Sequence, residues 1–109
     1  MVQKKDNASV RILGKGAAIC SGKKTASETI HSVRCAMTSI ILCTDGTNDA
    51  SIVIQDGSGG TVLREFTISG SENFGGNAIN YPVYASSGID VTLTGTGAFY
   101  FIDYIRLEE

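Results

Sequence analysis

Three aspartates, Asp45, Asp49 and Asp56, fall within the stretch TDGTNDASIVIQDGSGGTVL from Thr44 to Leu63, with Asn48 between the first two. Carboxylates this close could hold a calcium ion or act as an acid–base pair. Calcium loops place oxygen ligands at alternate positions and a Glu at position 12. Here Gly46 follows Asp45 at once, Asp56 stands at position 12, and Ile52, Val53 and Ile54 fill the space between. A β-strand across those residues carries Asp49 and Asp56 apart. Acid catalysis on a glycosidic bond needs two carboxylates facing one cleft about 5–10 Å apart. These aspartates instead occupy turn positions, where the side chain bonds local backbone. Glu65 and Asp90 fall on outward positions of alternating segments, where solvated charges belong.

The remaining reactive residues are Cys20, Cys35, Cys43 and the single histidine, His31. They lack the compact C-x(2–4)-C pairs of a structural zinc site, so the thiols read as small buried hydrophobes. Within one continuous strand Cys35 and Cys43 would share a face, too far apart to bond. An odd number of cysteines predicts thiols kept in a reducing compartment. Cys35 follows His31 by four residues, and no nucleophile elbow or oxyanion loop accompanies the pair; His31 reads as a polar surface or hinge residue. The segments GSGG and GSENFGG lack the Lys-Ser or Lys-Thr of a phosphate loop. No tryptophan is present, so a sugar platform would rest on Tyr81, Tyr84, Tyr100 or Tyr104, for which buried or interface tyrosine is the plainer reading. No catalytic, metal or cofactor site is therefore expected.

The elements that carry these residues are strands. Period-two alternation appears in SVRIL (9–13), ASIVIQ (50–55), TVLREFTIS (61–69) and GIDVTLTG (88–95), punctuated by Gly and Asp-Gly. AAIC (17–20) reads as an edge segment. SVRCAMTSIILCT (32–44) reads as the central strand, with a bulge or bend re-aiming it midway. In AFYFIDYIRL (98–107), Phe99, Phe101 and Ile105 share one parity and Tyr100, Ile102 and Tyr104 the other, so both faces are expected to be covered. Residues 24–31 could make one helical turn, since Thr25 followed by Glu28 resembles a capping box. Residues 70–80 read as a loop anchored by Phe74 and Ile79. Pro82 heads VYAS, where an edge strand tolerates a missing N–H. About eight short antiparallel strands predict an all-β, single-domain β-sandwich of jelly-roll-like type over 9–109, preceded by an N-terminal arm, residues 1–8.

Length and charge set the remaining bounds. The 109 residues fit one domain, and 42% are apolar, which excludes a disordered chain. No apolar run approaches the ~20 residues of a membrane helix, and MVQKKDNASV has no apolar core, so no secretory signal is expected. The net charge of −2 hides an asymmetry: residues 1–34 carry seven basic side chains against two acidic, and residues 35–109 two basic against nine acidic. The plain reading is a solvated basic edge. The sharper one is a basic arm that docks on an acidic surface of a sister subunit or another protein. An acidic body would repel nucleic acid phosphates.

The segments SVRCAMTSIILCTDGTNDASIVIQDGSGGTVL and YPVYASSGIDVTLTGTGAFYFIDY resemble the small all-β virion proteins of tailed bacteriophages, over about residues 32–104. The likeness lies in a strand before Asp-Gly, an I-x-D-G strand end, a G-I-x-V-x-L-x-G-T-G-A hairpin and an aromatic last strand. Within that group the chain is most similar to capsid decoration (cement) proteins. The resemblance implies a non-enzymatic protein of the virion, made in the host cytoplasm, that binds the major capsid protein on the capsid surface, commonly as a homotrimer. It transfers no functional residue. The basic arm makes Lys4, Lys5, Arg11 and Lys15 the candidate docking residues. Two other readings stay open: a neck or tail component, and a carbohydrate- or receptor-binding module using Tyr81 and Tyr84.

Overall fold

The period-two segments become strands in a computed structural model that describes residues 18–107, apart from the side chains of 76–81. Eight strands form: β1 Ile19–Cys20, β2 Glu28–His31, β3 Cys35–Cys43, β4 Ala50–Asp56, β5 Val62–Ile68, β6 Phe74–Ala85, β7 Ile89–Thr94 and β8 Phe99–Arg106. Sheet I has the order β1-β8-β3-β6 and sheet II the order β2-β7-β4-β5, with every neighbouring pair antiparallel. The pairs 1–8, 2–7, 3–6 and 4–5 are nested, and the chain passes from one sheet to the other at most connections. That wrapping is the eight-stranded jelly roll. The segment 9–13 lies outside the described residues, as does the arm. Among the described residues no helix is long and apolar enough to cross a membrane.

The two inner faces make the core. Sheet I contributes Cys35, Met37, Ile40, Leu42, Tyr100 and Ile102; sheet II contributes Ala50, Ile52, Ile54, Ile68, Ile89 and Val91. Each large aliphatic side chain removed from water here contributes about 1.5–3 kcal/mol before entropy is counted. In sheet II the alternation is clean: Ile52 and Ile54 point in while Ser51, Val53 and Gln55 point out.

Strand β3 does not keep one parity. Cys35 and Met37 are buried, then Ile40 and Leu42, so the inward set shifts by one residue between them. The cause is a β-bulge. Met37 pairs with Tyr104 and Ser39 with Asp103, leaving Thr38 without an opposite residue on β8. On β6 the same point sets Val83 against Met37 and Ala78 against Ser39, so four residues including Pro82 loop out opposite Thr38. The bulge expected midway along 32–44 is present. Its consequence was not expected: Cys35 faces the core and Cys43 the outside. Pro82 does lie on an edge strand.

Two segments depart from expectation. Residues 24–31 make no helical turn; Lys24 bridges to Tyr100, and Glu28–His31 is β2, paired to β7. Ser27 replaces a cap, its Oγ accepting from Leu93 N–H at 2.8 Å. The capping box instead closes at Ser69, where Glu72 reaches back over a 3₁₀ turn, Gly70–Glu72. The rest of the segment 70–80, read as a loop, is the first half of β6. Phe74 is no anchor, since it is 68% exposed; the side chain of Ile79 lies outside the described ones. Gly75 belongs in this strand because a Cβ there would fall 2.5 Å from Ile68 Cγ2 of the opposite sheet.

Candidate functional site

The acidic turns are braces. Asp45 Oδ1 accepts from the backbone N–H groups of Thr47 and Asn48, each at 2.8 Å, and Oδ2 accepts from Asn48 Nδ2 at 2.8 Å. These bonds, the one from Asn48 N–H first, hold the Asp45 carboxyl below the usual carboxylate range. Asp49 Oδ1 accepts from Gly70 N–H at 2.9 Å, tying the β3–β4 turn to the 3₁₀ turn. Asp56 reaches further. It accepts from Ser87 N–H at 2.6 Å and from Ser86 N–H and Oγ at 3.1 and 2.8 Å, which latches the β6–β7 turn to the end of β4. The Ser87 bond, then the Ser86 hydroxyl, lower its pKa. Gly46 and Gly57 follow with φ of 89° and 78°, the left-handed conformation these reversals need. Among the described residues no group of three or more His, Cys, Asp or Glu side chains converges on a point where a metal could sit.

The other reactive residues are also engaged in the scaffold. His31 stacks on Tyr104, ring centroids 5.0 Å apart. The Tyr100 hydroxyl donates to Ala26 O at 3.0 Å, and burial first, then Glu28 and Asp90, pushes its pKa up to about 12. Cys35 is buried and Cys20 exposed. Burial pushes the Cys43 thiol up, with Lys23 opposing.

The site-like feature is the outer face of sheet I. Cross-strand register on β8, β3 and β6 stacks its outward residues in rows: Ile105–Ala36–Tyr84, then Asp103–Ser39, then Phe101–Ile41, then Phe99–Cys43–Phe74. Phe74 is 68%, Tyr84 54% and Ile41 42% exposed; Phe99, Phe101 and Ile105 are half-buried. Phe99 and Phe101 meet edge to face at 6.2 Å, and Lys23 Nζ lies 4.4 Å above the Phe99 ring. Ser39 Oγ donates to Asp103 Oδ2 at 2.9 Å. Among the described residues the face is thus an aromatic and aliphatic strip with Lys23 at its Phe99 end and Asp103 past its middle. A contiguous strip of this kind is what interaction surfaces are made of.

Of the residues named from sequence as docking or sugar-binding candidates, one is placed on this face among the described ones. Lys4, Lys5, Arg11 and Lys15 lie outside the described residues, as does the Tyr81 side chain. Tyr84 is on the strip. The aromatic parity of 98–107 pointed toward it: one face of that segment is core, and on the other Phe99, Phe101 and Ile105 are half-buried among the described residues. Phe74 and Ile41 were missed as surface residues because the bulge at Thr38 and the strand at 74–85 were needed to place them. Compared with known protein families, curated proteins and solved structures, the chain shows no match.

Proposed function

We propose that this protein is a non-enzymatic structural component of a bacteriophage virion that binds the major capsid protein and stabilises the capsid as a homo-oligomer. The observation that carries the reading is the pairing of a strongly basic first third with an acidic jelly-roll body that exposes Ile41, Phe74 and Tyr84 on one sheet face. Lys4, Lys5, Arg11 and Lys15 supply the positive side of the contact. Several weak contacts per oligomer add through effective concentration on a repeating lattice. The resemblance to decoration proteins, with their common three-fold assembly, supports the same reading. A fold alone would not, because jelly rolls serve many functions. Co-sedimentation with capsids lacking decoration tests it. The protein is expected in the pellet at low salt and progressively less so as salt screens the contact. Deleting residues 1–8 without loss of binding removes the arm from the proposal, and a protein that stays in the supernatant at every salt concentration removes the capsid.

A second reading has one observation in its favour. Tyr84 stands 54% exposed on a sheet face, a geometry suited to stacking on a sugar ring. In a glycan- or receptor-binding tail module, Tyr84→Ala abolishes binding on a glycan array; a neck or tail structural role predicts no glycan signal.

A further inference from the structure

We propose that the outer face of sheet I pairs with the same face of a second copy of this chain, about a two-fold axis running along the Phe101–Ile41 row. The argument starts from the charges. Lys23 sits over Phe99, two residues to one side of Phe101 on β8. Asp103 lies two residues to the other side. A two-fold axis along the Phe101–Ile41 row reverses the strand direction between copies. It therefore sets the Phe99 end of one face against the Asp103 row of the other. Lys23 of each copy then meets Asp103 of its partner, twice over, and the apolar row at the centre meets itself. An isologous contact demands this self-complementarity. A partner protein of one charge sign would be repelled by Lys23 or by Asp103. Sheets packed in this way lie about 10 Å apart with their strands within ~30° of parallel.

Magnitude decides how tight the pair is. Six residue steps of about 3.4 Å along β8, and three or four strands about 4.8 Å apart, give a flat footprint of roughly 300–400 Å². Counted over both copies that is roughly 600–800 Å², below the ~1,200 Å² of stable specific interfaces, so the contact belongs with weak, transient ones. The association is therefore weak, reached at the top of a concentration series and avid only when the chain is already multiply bound. The contact is argued without any residue of the arm, so its test does not depend on the capsid reading. It yields even numbers of copies: two, or six where two trimers meet back to back.

Sedimentation velocity across a concentration series tests the pair, with the full-length chain. The wild type is expected to show a reversible increase to an even number of copies. Ile41→Asp, at a surface position, is expected to abolish it while the thermal melt and far-ultraviolet circular dichroism stay native. Lys23→Asp and Asp103→Lys are each expected to raise the dissociation constant about tenfold or more, equivalent to ~1.4 kcal/mol. The double charge swap is expected to recover the wild-type value to within about threefold, since the pair is rebuilt with its signs exchanged. A single-copy mass at all concentrations overturns the proposal, as does a mass of three copies and no higher state. A double swap weaker than both single variants overturns it too. If the wild type is single but a chain lacking residues 1–17 self-associates, the face belongs to that segment instead, and the proposal falls.

Discussion

The two sheets of the sandwich share a core but not an exterior. Outside sheet II, Thr29 Oγ1 donates to Asp90 Oδ1 at 2.8 Å, Ser51 and Thr67 hydroxyls bond at 2.8 Å, and Glu65 and Thr92 flank Val53 in register. Hydroxyls and carboxylates across an antiparallel pair satisfy one another and remain wetted. Outside sheet I, the equivalent rows hold Phe99, Phe101, Phe74, Ile41 and Tyr84. Both exteriors alternate with the same inward residues, so core formation alone demands neither pattern. A solvated sheet needs the first kind of surface. The second costs solubility unless it is covered, which is why the charges that survive on it, Lys23 and Asp103, carry information about what covers it.

Five substitutions break or sharpen that contrast. The largest effect is expected from Leu42→Ala, which removes a fully buried side chain one residue from exposed Ile41. It is expected to cost about 2–5 kcal/mol in urea unfolding, whereas Ile41→Ser costs less than about 1 kcal/mol and acts on association instead. Asp56→Ala comes next, unlatching the β6–β7 turn from sheet II. A cost of about 1–2 kcal/mol is expected near neutral pH. Because the folded state lowers this carboxyl's pKa, its contribution is present above the unfolded value of about 3.9 and is lost as pH falls through the folded value. The gap between wild type and variant should therefore close in acid unfolding curves.

Tyr100→Phe is expected to cost about 1 kcal/mol at neutral pH by deleting the bond to Ala26 O. The sign with pH is opposite to that of Asp56. The folded pKa, about 12, is raised above the unfolded value of about 10, so the neutral phenol's contribution is whole below pH ~10 and disappears as pH climbs toward 12. Urea titrations across that window, wild type against variant, read it directly. Thr67→Ala, on the polar exterior, is the smallest, about 0.2–1 kcal/mol. It should leave sedimentation unchanged, which distinguishes the polar exterior from the apolar one.

Much of this architecture was legible in the residues. Strands 50–56, 62–68 and 89–94 announce themselves by alternation between Asp-Gly and Gly-rich turns, and the bulge in 32–44 follows from apolar residues that change parity partway. Strand 28–31 was hidden because it is short, polar and preceded by Thr25 and Glu28 at capping spacing; only its pairing to β7 makes it a strand. Strand 74–85 was hidden by Gly75 and Gly76, which imitate a loop. One of those glycines reflects the approach of Ile68 across the sandwich, a contact between residues seven apart in sequence but on opposite sheets. The aspartates of 44–63 were rightly assigned to turns. That Asp56 braces Ser86 and Ser87, thirty residues on, is a tertiary fact that no local pattern encodes. The apolar strip was half legible: parity revealed two apolar faces on 98–107, but not which one the rest of the chain would cover.

The nesting of the strands carries a consequence for synthesis. β8 lies between β1 and β3, and β7 between β2 and β4, so neither sheet has its interior until residues 89–106 have left the ribosome. Up to that moment β3, rich in buried apolar residues, has an open edge, and the long partnerships open to the described strands are β4 with β5 and β3 with β6. Such late, long-range closure folds slowly and leaves strand edges open to aggregation meanwhile. A chain ending before Phe99 would retain that half-built state permanently, which makes the C-terminal strand the gatekeeper of a soluble yield.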